Sequence, residues 1–373
     1  MNVENFLSRK LNLALPYWTI ACPIIAVITL FFAGTLKENT FFLIFLGLTL
    51  VSSVLAAVHH AEVVAHKVGE PFGTIILALA ITVIEVSLIV SLMLSEPEGT
   101  LSVLARDTVF AAVMIILTGI IGVCLLGGGF RFREQNFIKQ GVSTALITLV
   151  SISILTLVLP NFLTTESGGE FSSSQLIFVA IISLILYGGF ISVQTIRHRD
   201  YFLPQSSSEG ETVSELHAEK PNSLTTISSL VLLLIALVAV VLSSKQLSPT
   251  IESIVIDLGA PKSLVGIIIA GVILLPEGLA AYKAAKKDRL QTSLNLALGS
   301  ALASIGLTIP AVAIVCFVTG LKVSLGIGAK SSVLLVLSLF TVYLSLSSGR
   351  TNIQQGIVLL TLFATYLFTT IVP

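Results

Sequence analysis

The chain consists of long apolar stretches separated by short polar breaks. A helix needs about 20 apolar residues to cross a hydrocarbon core roughly 30 Å thick, and runs of that length recur throughout the sequence. The runs are continuous rather than alternating, which predicts helices and not the strands of a barrel. We predict eleven transmembrane spans, at about 17–36, 41–60, 72–94, 108–128, 141–163, 175–196, 223–243, 263–285, 291–319, 330–347 and 354–372.

The composition agrees with this pattern. Of the 373 residues, 55% are hydrophobic and only 11% are charged, whereas soluble domains average about 45–50% and about 25%. Twenty basic residues balance twenty acidic ones, so no basic surface for nucleic acid is expected. The three cysteines lie far apart in apolar runs, which argues against a disulfide scaffold or a zinc ribbon. We therefore predict an all-α polytopic membrane protein in the lipid bilayer that has no nucleic-acid partner.

The distribution of basic residues predicts the orientation. Loops on the cytoplasmic side of a membrane protein carry an excess of Lys and Arg. A cytoplasmic N-terminus and eleven spans place six of the twenty basic residues outside: Lys37, Arg106, Lys245, Lys262, Lys322 and Lys330. The other fourteen then lie inside, which favours an N-terminus in the cytoplasm.

One polar segment, 197–222, divides the chain into comparable halves. We predict an N-terminal segment with the first span at 1–40, a first five-helix repeat at 41–196, an acidic cytoplasmic linker at 197–222 and a second five-helix repeat at 223–373. Because each repeat has an odd number of spans, the second would cross the membrane in the opposite direction, as in inverted-repeat transporters.

Each predicted repeat carries one glutamate deep in its second span, Glu85 and Glu277. A Gly-x-Pro triplet opens both of these spans, at 69–71 and at 259–261. A carboxylate at the bilayer centre costs about 2.5–3.5 kcal/mol on insertion scales. A protonated glutamate that only bonds a neighbouring helix is one explanation, but two at matching places favour an ion site.

Further oxygen atoms could complete such a site. Pro276 cannot donate a hydrogen bond to the carbonyl of Val272, and Thr82 lies one turn before Glu85. The ninth span carries hydroxyls at helical spacing with an amide nearby, namely Ser293, Ser300, Ser304, Thr308 and Asn295. Membrane helices also use Ser and Thr simply for packing, so both interpretations stay open.

Several motifs resemble a known family. The run from His59 to Gly73 (HHAEVVAHKVGEPFG), the run from Arg106 to Ala112 (RDTVFAA) and the stretches LPEG from Leu275 and LALGSAL from Leu296 are similar to the bacterial ChaA group of cation/proton antiporters, within the calcium/cation antiporter superfamily. The resemblance covers about residues 10–373. It implies one leading helix and two inverted five-helix repeats in a bacterial inner membrane.

The resemblance also implies a central site built from one glutamate of each repeat, here Glu85 and Glu277. The wider family has Gly-Asn before each glutamate, whereas this chain has Ile81-Thr82 and Ile273-Leu274. The two missing amide ligands leave Na⁺ and K⁺ beside Ca²⁺ as expected substrates. No cofactor is expected apart from the transported cation and protons, and the oligomeric state is left open.

The function predicted from these residues is secondary active exchange of a cation for protons by alternating access at the glutamate pair. A passive cation channel is the first alternative. An intramembrane metal-dependent enzyme is a weaker one, because His60, Glu62 and His66 do not follow the His-Glu-x-x-His pattern of zinc proteases. The sequence also lacks a Gly-x-x-x-x-Gly-Lys-Ser motif for nucleotide, so ATP hydrolysis is not expected to be the energy source. We predict that the protein is not an enzyme.

Two groups of residues are candidates for regulation. His59, Glu62 and His66 share one face of a predicted helix, and an imidazole titrates near pH 6.5, so they could sense cytosolic pH. Glu211, Glu215 and Glu219 recur every four residues in the linker; the family resemblance implies a cation-sensing role for this acidic segment. Solubility at helix ends and a disordered tether are the corresponding alternatives.

Overall fold

A computed structural model describes residues 15–36, 39–69, 72–94, 101–166, 168–203, 221–257, 259, 261 and 263–372. The described chain is almost entirely helical. The helices are α1 (Tyr17–Phe31), α2 (Thr40–Val68), α3 (Phe72–Met93), α4 (Leu104–Phe132), α5 (Lys139–Phe162), α6 (Ser173–Arg197), α7 (Ser223–Asp257), α8 (Ser263–Ala285), α9 (Leu290–Thr319), α10 (Ala329–Leu346) and α11 (Ile353–Ile371).

These eleven helices coincide with the eleven predicted spans, and two short helical segments, Ala33–Leu36 and Arg199–Tyr201, follow α1 and α6. Within the described residues, nine of them are long and apolar enough to cross a membrane, and two shorter apolar stretches lie at Tyr17–Phe31 and Leu79–Met93. The largest differences in bounds are at α2 and α7, which extend past their predicted apolar ends to Val68 and Asp257. Their last turns are polar but remain helical. The prediction of an all-α polytopic membrane protein is confirmed.

The helices form two compact units that do not follow the order of the chain. The first unit comprises Met1–Ser91 and Ser207–Ile254, and the second comprises Leu92–Ser206 and Val255–Pro373. The first unit therefore contains α1, α2 and most of α3 and α7. The second contains α4, α5, α6 and α8 to α11. Each unit takes helices from both predicted repeats.

In the first unit, α1 packs along α2. Pro23 lies inside α1 and has no N–H to donate to the carbonyl of Thr19, four residues earlier. His60 of α2, which is fully buried, takes over this role, because its Nε2 lies 3.0 Å from the Thr19 carbonyl oxygen. A carbonyl can only accept, so Nε2 carries the hydrogen. In the last turn of α2, Lys67 donates to the carbonyl of Pro221 at 2.9 Å.

In the second unit, the helix connections pair with one another at both ends of the bundle. At one end, strand β1 (Glu134–Asn136), which follows α4, pairs antiparallel with strand β2 (Arg350–Asn352), which precedes α11. At the other end, Glu170, which precedes α6, pairs with Ser324, which follows α9. The connection after α4 thus meets the one before α11, and the connection after α9 meets the one before α6.

Three helices of the second unit leave regular α geometry, which the hydrophobic pattern did not predict. Helix α4 contains a π-helical segment at Ile115–Ile120. Helix α5 becomes π-helical at Ile154–Val158 and then 3₁₀ at Leu159–Phe162. Helix α6 ends in a π-helical turn at Val193–Arg197. Pro160 explains the change in α5, because it removes one donor from the helical ladder.

Candidate cation site

Glu85 is a buried carboxylate in the middle of α3, in the first unit. It is the fourteenth residue of this 22-residue helix, and only 3% of it is exposed. Thr82 is buried too, and the spacing of three residues places the hydroxyl on the same helix face as the carboxylate. The structure therefore brings together the two residues that the sequence singled out in the first repeat.

Glu277 occupies the matching position in α8, in the second unit. It is the fifteenth residue of a 23-residue helix, and 9% of it is exposed. Pro276 lies inside the same helix, so the carbonyl of Val272 has no helical donor. A freed backbone oxygen about one turn before the carboxylate remains a prediction.

The π-helical segment of α4 packs against α8 at Gly278, the residue after Glu277. A Cβ atom on Gly278 would come within 3.2 Å of Ile120, the last residue of that segment. Inside the segment, the Thr118 hydroxyl donates to the Met114 carbonyl at 2.6 Å. π-bulges are frequent at functional sites because they reorient backbone groups. Sequence reasoning missed this feature, since nothing in the apolar run of α4 distinguishes a π turn from an α turn.

Helix α9 packs against both α8 and α4 and carries the predicted hydroxyls. Ser304 is 3% exposed, and Ser300, one turn earlier, is half-buried. Ser293 and Thr308 are buried as well. The structure thus places a row of hydroxyls on one of the two helices that flank α8.

Asn295 lies further along α9 and bonds elsewhere. Its Nδ2 donates to the Phe202 carbonyl at 2.6 Å, and its Oδ1 accepts from Gln291 at 2.9 Å. Gln291 in turn accepts from the backbone N–H of Ile138 at 2.7 Å. These bonds tie the start of α9 to the connection after α4 and to the segment after α6. As a cation ligand, Asn295 remains a prediction.

The predicted regulatory residues fall into two groups. His59, Glu62 and His66 lie on α2, where Glu62 and His66 are exposed and His59 is half-buried with its ring 6.1 Å from that of Trp18. The linker residues Glu211, Glu215 and Glu219 lie outside the described residues. Within the part of the chain that the structure describes, three or more His, Cys, Asp or Glu side chains are nowhere grouped so as to hold a metal ion.

These features define the class of protein: a polytopic all-α membrane protein with a buried carboxylate in the middle of each of two matching helices. The profile of the family described as sodium/calcium exchanger protein matches residues 39–196 and 228–372, most of the chain. The chain belongs to this family, whose members are membrane transporters and not enzymes.

Similar proteins include named bacterial transporters. The chain is 44% identical over 363 residues to the putative ionic transporter y4hA of Sinorhizobium fredii, covering 96% of this chain and 97% of that protein. It is 35% identical over 350 residues to the sodium-potassium/proton antiporter ChaA of Escherichia coli, covering 93% and 94%. A Ca²⁺/H⁺ antiporter of Aphanothece halophytica is 26% identical over 280 residues, covering 72% of this chain and 74% of that protein.

Two solved structures are similar in fold. The structure of native YfkE has a TM-score of 0.69 at 16% identity and covers 95% of this chain and 99% of that one. The crystal structure of the H⁺/Ca²⁺ exchanger CAX has a TM-score of 0.65 at 15% identity, with coverages of 93% and 89%. At these identities the likeness concerns the fold alone.

Proposed function

We propose that the protein is a secondary active antiporter that exchanges cations for protons by alternating access. The observation that carries the proposal is the pair of carboxylates, Glu85 and Glu277, buried at equivalent positions of α3 and α8. The similar proteins named as cation/proton antiporters support the same activity. Thr82, Ser300 and Ser304 are proposed to supply additional oxygen atoms.

The exchange follows from the chemistry of the two carboxylates. An ionised carboxylate in a medium of low dielectric constant is costly, so each one must bind either a proton or a cation. Cation and protons therefore compete for the same oxygens. If an empty, charged site cannot change its exposure from one side to the other, the only productive cycles exchange cation for proton. Two protons balance one divalent ion, and one proton balances one monovalent ion.

The cation is proposed to be Na⁺ or K⁺, with Ca²⁺ as the divalent candidate. Calcium prefers six to eight oxygen ligands. Three residues before each glutamate, this chain has Thr82 and Leu274, where two asparagines would each add an amide oxygen as a ligand. The 35% identical relative is named a sodium-potassium/proton antiporter. The relative named a Ca²⁺/H⁺ antiporter is 26% identical.

The architecture is proposed to be a leading helix and two inverted repeats. The family profile matches the chain in two stretches, 39–196 and 228–372, which are close to the predicted repeats at 41–196 and 223–373. The connections of the second unit support the same relation. In the proposed repeats, α4 corresponds to α9 and α6 corresponds to α11. The segment after α4 pairs with the segment before α11 (β1 with β2), and the corresponding segment after α9 pairs with the one before α6 (Ser324 with Glu170).

Proton movement in everted inner-membrane vesicles tests the function. With a preformed proton gradient, adding Na⁺, K⁺ or Ca²⁺ separately should dissipate the gradient only for the transported cations. Glu85→Gln and Glu277→Gln should each reduce this response to the level of vesicles that lack the protein, because an amide cannot cycle between charged and protonated forms. Glu134→Gln, at an exposed carboxylate of β1, should respond like the wild type.

The same vesicles distinguish the antiporter from a passive channel. A channel would pass the isotopically labelled cation at the same rate with and without a proton gradient, and protons would not move in exchange. Full coupled transport in either glutamine variant, with the protein present in the membrane at wild-type amount, would overturn the proposed site.

A further inference from the structure

We propose that a cavity between α5 and α6 binds one acyl chain of a phospholipid whose headgroup carries an amine, such as phosphatidylethanolamine. The cavity lies within the second unit and has a volume of about 190 Å³. This is smaller than the roughly 300–1,000 Å³ of pockets for compact organic ligands. It therefore suits a segment of a single narrow chain better than a bulky ligand.

The cavity forms where α5 leaves regular geometry. Its α5 wall includes Ile152, Leu155 and Leu159, and the helix changes from α to π to 3₁₀ geometry over this stretch. Regular helices pack by placing rows of side chains three and four residues apart into each other's grooves. A change of helical pitch breaks those rows, so α6 cannot fill the space beside α5.

The interior of the cavity is apolar, and most of its wall residues belong to the two apolar helices α5 and α6. Phe171, Phe178 and Val179 line it from the side of α6. Ser183, at its inner part, is 1% exposed and its hydroxyl oxygen has no hydrogen-bond partner among the described residues. An unfilled apolar void loses dispersion contacts on every side, and lipid hydrocarbon is the apolar material at hand in a bilayer.

The mouth of the cavity determines which headgroup fits. Gln175 lines the cavity there and donates to the Thr165 hydroxyl at 3.0 Å, in the connection between the two helices. That connection carries Glu166 and Glu170, and the chain has no Lys or Arg from 140 to 196. The segment that pairs with Glu170 at Ser324 brings one cation, Lys322, to the same end, so two carboxylates face one ammonium group there. An acidic mouth repels a headgroup whose only charge is the phosphate. It attracts the ammonium group of phosphatidylethanolamine.

Fluorescence quenching by brominated lipids tests the proposal. The chain has one tryptophan, Trp18, so Trp18→Phe removes the background and Phe178→Trp places a reporter beside the cavity. Reconstituted in vesicles, this reporter should be quenched by brominated-chain phosphatidylethanolamine with about two- to fivefold higher apparent affinity than by the phosphatidylglycerol equivalent, the range expected for exposed ion pairs. Equal quenching by the two lipids would overturn the headgroup assignment.

Phe368 provides a matched control. Phe178 and Phe368 are both 64% exposed, and both lie near the same end of the second unit. Lys330 donates to the Thr369 carbonyl beside Phe368, so a Phe368→Trp reporter should show no preference for the amine lipid. The same preference at both positions would mean a general property of the surface and would overturn the site.

Two further variants test the binding of the acyl chain and the recognition of the headgroup independently. Glu166→Gln combined with Glu170→Gln should abolish the preference while quenching at position 178 persists. Ser183→Phe, which fills the cavity, should lower quenching at position 178 by both lipids and leave it unchanged at position 368. Unchanged quenching in the filled variant would show that no chain enters the cavity. Protection of position 178 from every lipid, with a dimer in solution, would assign this face to a second copy of the chain.

Discussion

At the scale of single residues, the three histidines of α2 look alike in the sequence but differ in their surroundings. His66 is exposed and His59 is half-buried. His60 is fully buried and serves as the donor that Pro23 cannot provide for the Thr19 carbonyl. The histidine that the sequence left without a regulatory role is thus the one that ties α1 to α2.

Replacing His60 should destabilise the packing of α1 on α2. His60→Leu leaves the Thr19 carbonyl without a donor, and interhelical hydrogen bonds in membrane proteins contribute about 0.6 kcal/mol on average and up to about 1.7 kcal/mol. We expect a fall of a few degrees in the Tm of the purified protein. In a Pro23→Ala background the residue at position 23 can donate to Thr19 itself. His60→Leu should then have a clearly smaller effect, and equal losses in the two backgrounds would refute this role.

His59 and His66 are proposed as a pH-dependent gate. Protonated imidazoles that pair with Glu62 would block entry of cations from the cytoplasm, and neutral imidazoles would permit it. If the gate operates, exchange should rise as cytosolic pH increases from about 6 to 8, within the range in which histidine is the side chain suited to a charge switch, beyond what proton competition at the glutamates explains. The double variant His59→Asn, His66→Asn should flatten that extra rise in vesicle assays. A pH profile identical to that of the wild type would leave Glu85 and Glu277 as the only titrating groups.

At the scale of secondary-structure elements, a single glutamine on β1 contacts both α4 and the end of α8 in the second unit. Gln135, on β1, is 2% exposed and donates to the Ala285 carbonyl at 3.0 Å and to the Asp288 carboxylate at 2.8 Å. Its Oε1 lies so close to α4 that a Cβ on Gly128 would be 1.7 Å away. Gln135 thereby joins the connection after α4 to the end of α8. Its side chain fits against α4 because residue 128 is a glycine and has no Cβ.

Two different substitutions should remove these Gln135 contacts and lower stability by similar amounts. Gln135→Leu removes the side-chain donor to the Ala285 carbonyl, which keeps its bond from the Asp288 N–H at 3.2 Å, and the donor to the Asp288 carboxylate. Such hydrogen bonds contribute about 0.5–1.5 kcal/mol each, and Gly128→Ala displaces the same amide by steric overlap. Each variant should lower the Tm, and the double variant should be little worse than either single one, since both remove the same contact. Asn136→Leu, at the exposed neighbour on β1, is the control and should change the Tm little. Additive losses would mean that the two positions act independently.

At the scale of the whole molecule, the orientation in the membrane can be tested at the two ends of the second unit. Lys322 lies at the end where Ser324 pairs with Glu170, and Ser348 lies next to β2 at the opposite end. Both are exposed. In a cysteine-free background, a membrane-impermeant maleimide should label Lys322→Cys in spheroplasts and Ser348→Cys only after the membrane is opened. The reverse pattern would place the N-terminus outside.

The sequence alone determined which segments span the membrane and which residues within them are costly. Eleven apolar runs became eleven helices because lipid cannot satisfy backbone groups and each segment must form its own hydrogen bonds. Glu85 and Glu277 were identifiable because a carboxylate in such a run is expensive wherever the helix packs. Both facts depend on local composition, so no knowledge of neighbours was needed.

The tertiary structure decided what depends on contacts between distant segments. The π-helical turn of α4 packed against α8 at Gly278, the bond from His60 to the carbonyl freed by Pro23, and the commitment of Asn295 to Phe202 all require knowing which helices are neighbours. The same holds for the cavity beside the distorted end of α5. An apolar run specifies that a helix forms, because hydrogen bonding within the helix is local. Its partner, its turns of irregular pitch and the bonds of its polar side chains are fixed only when the helices pack.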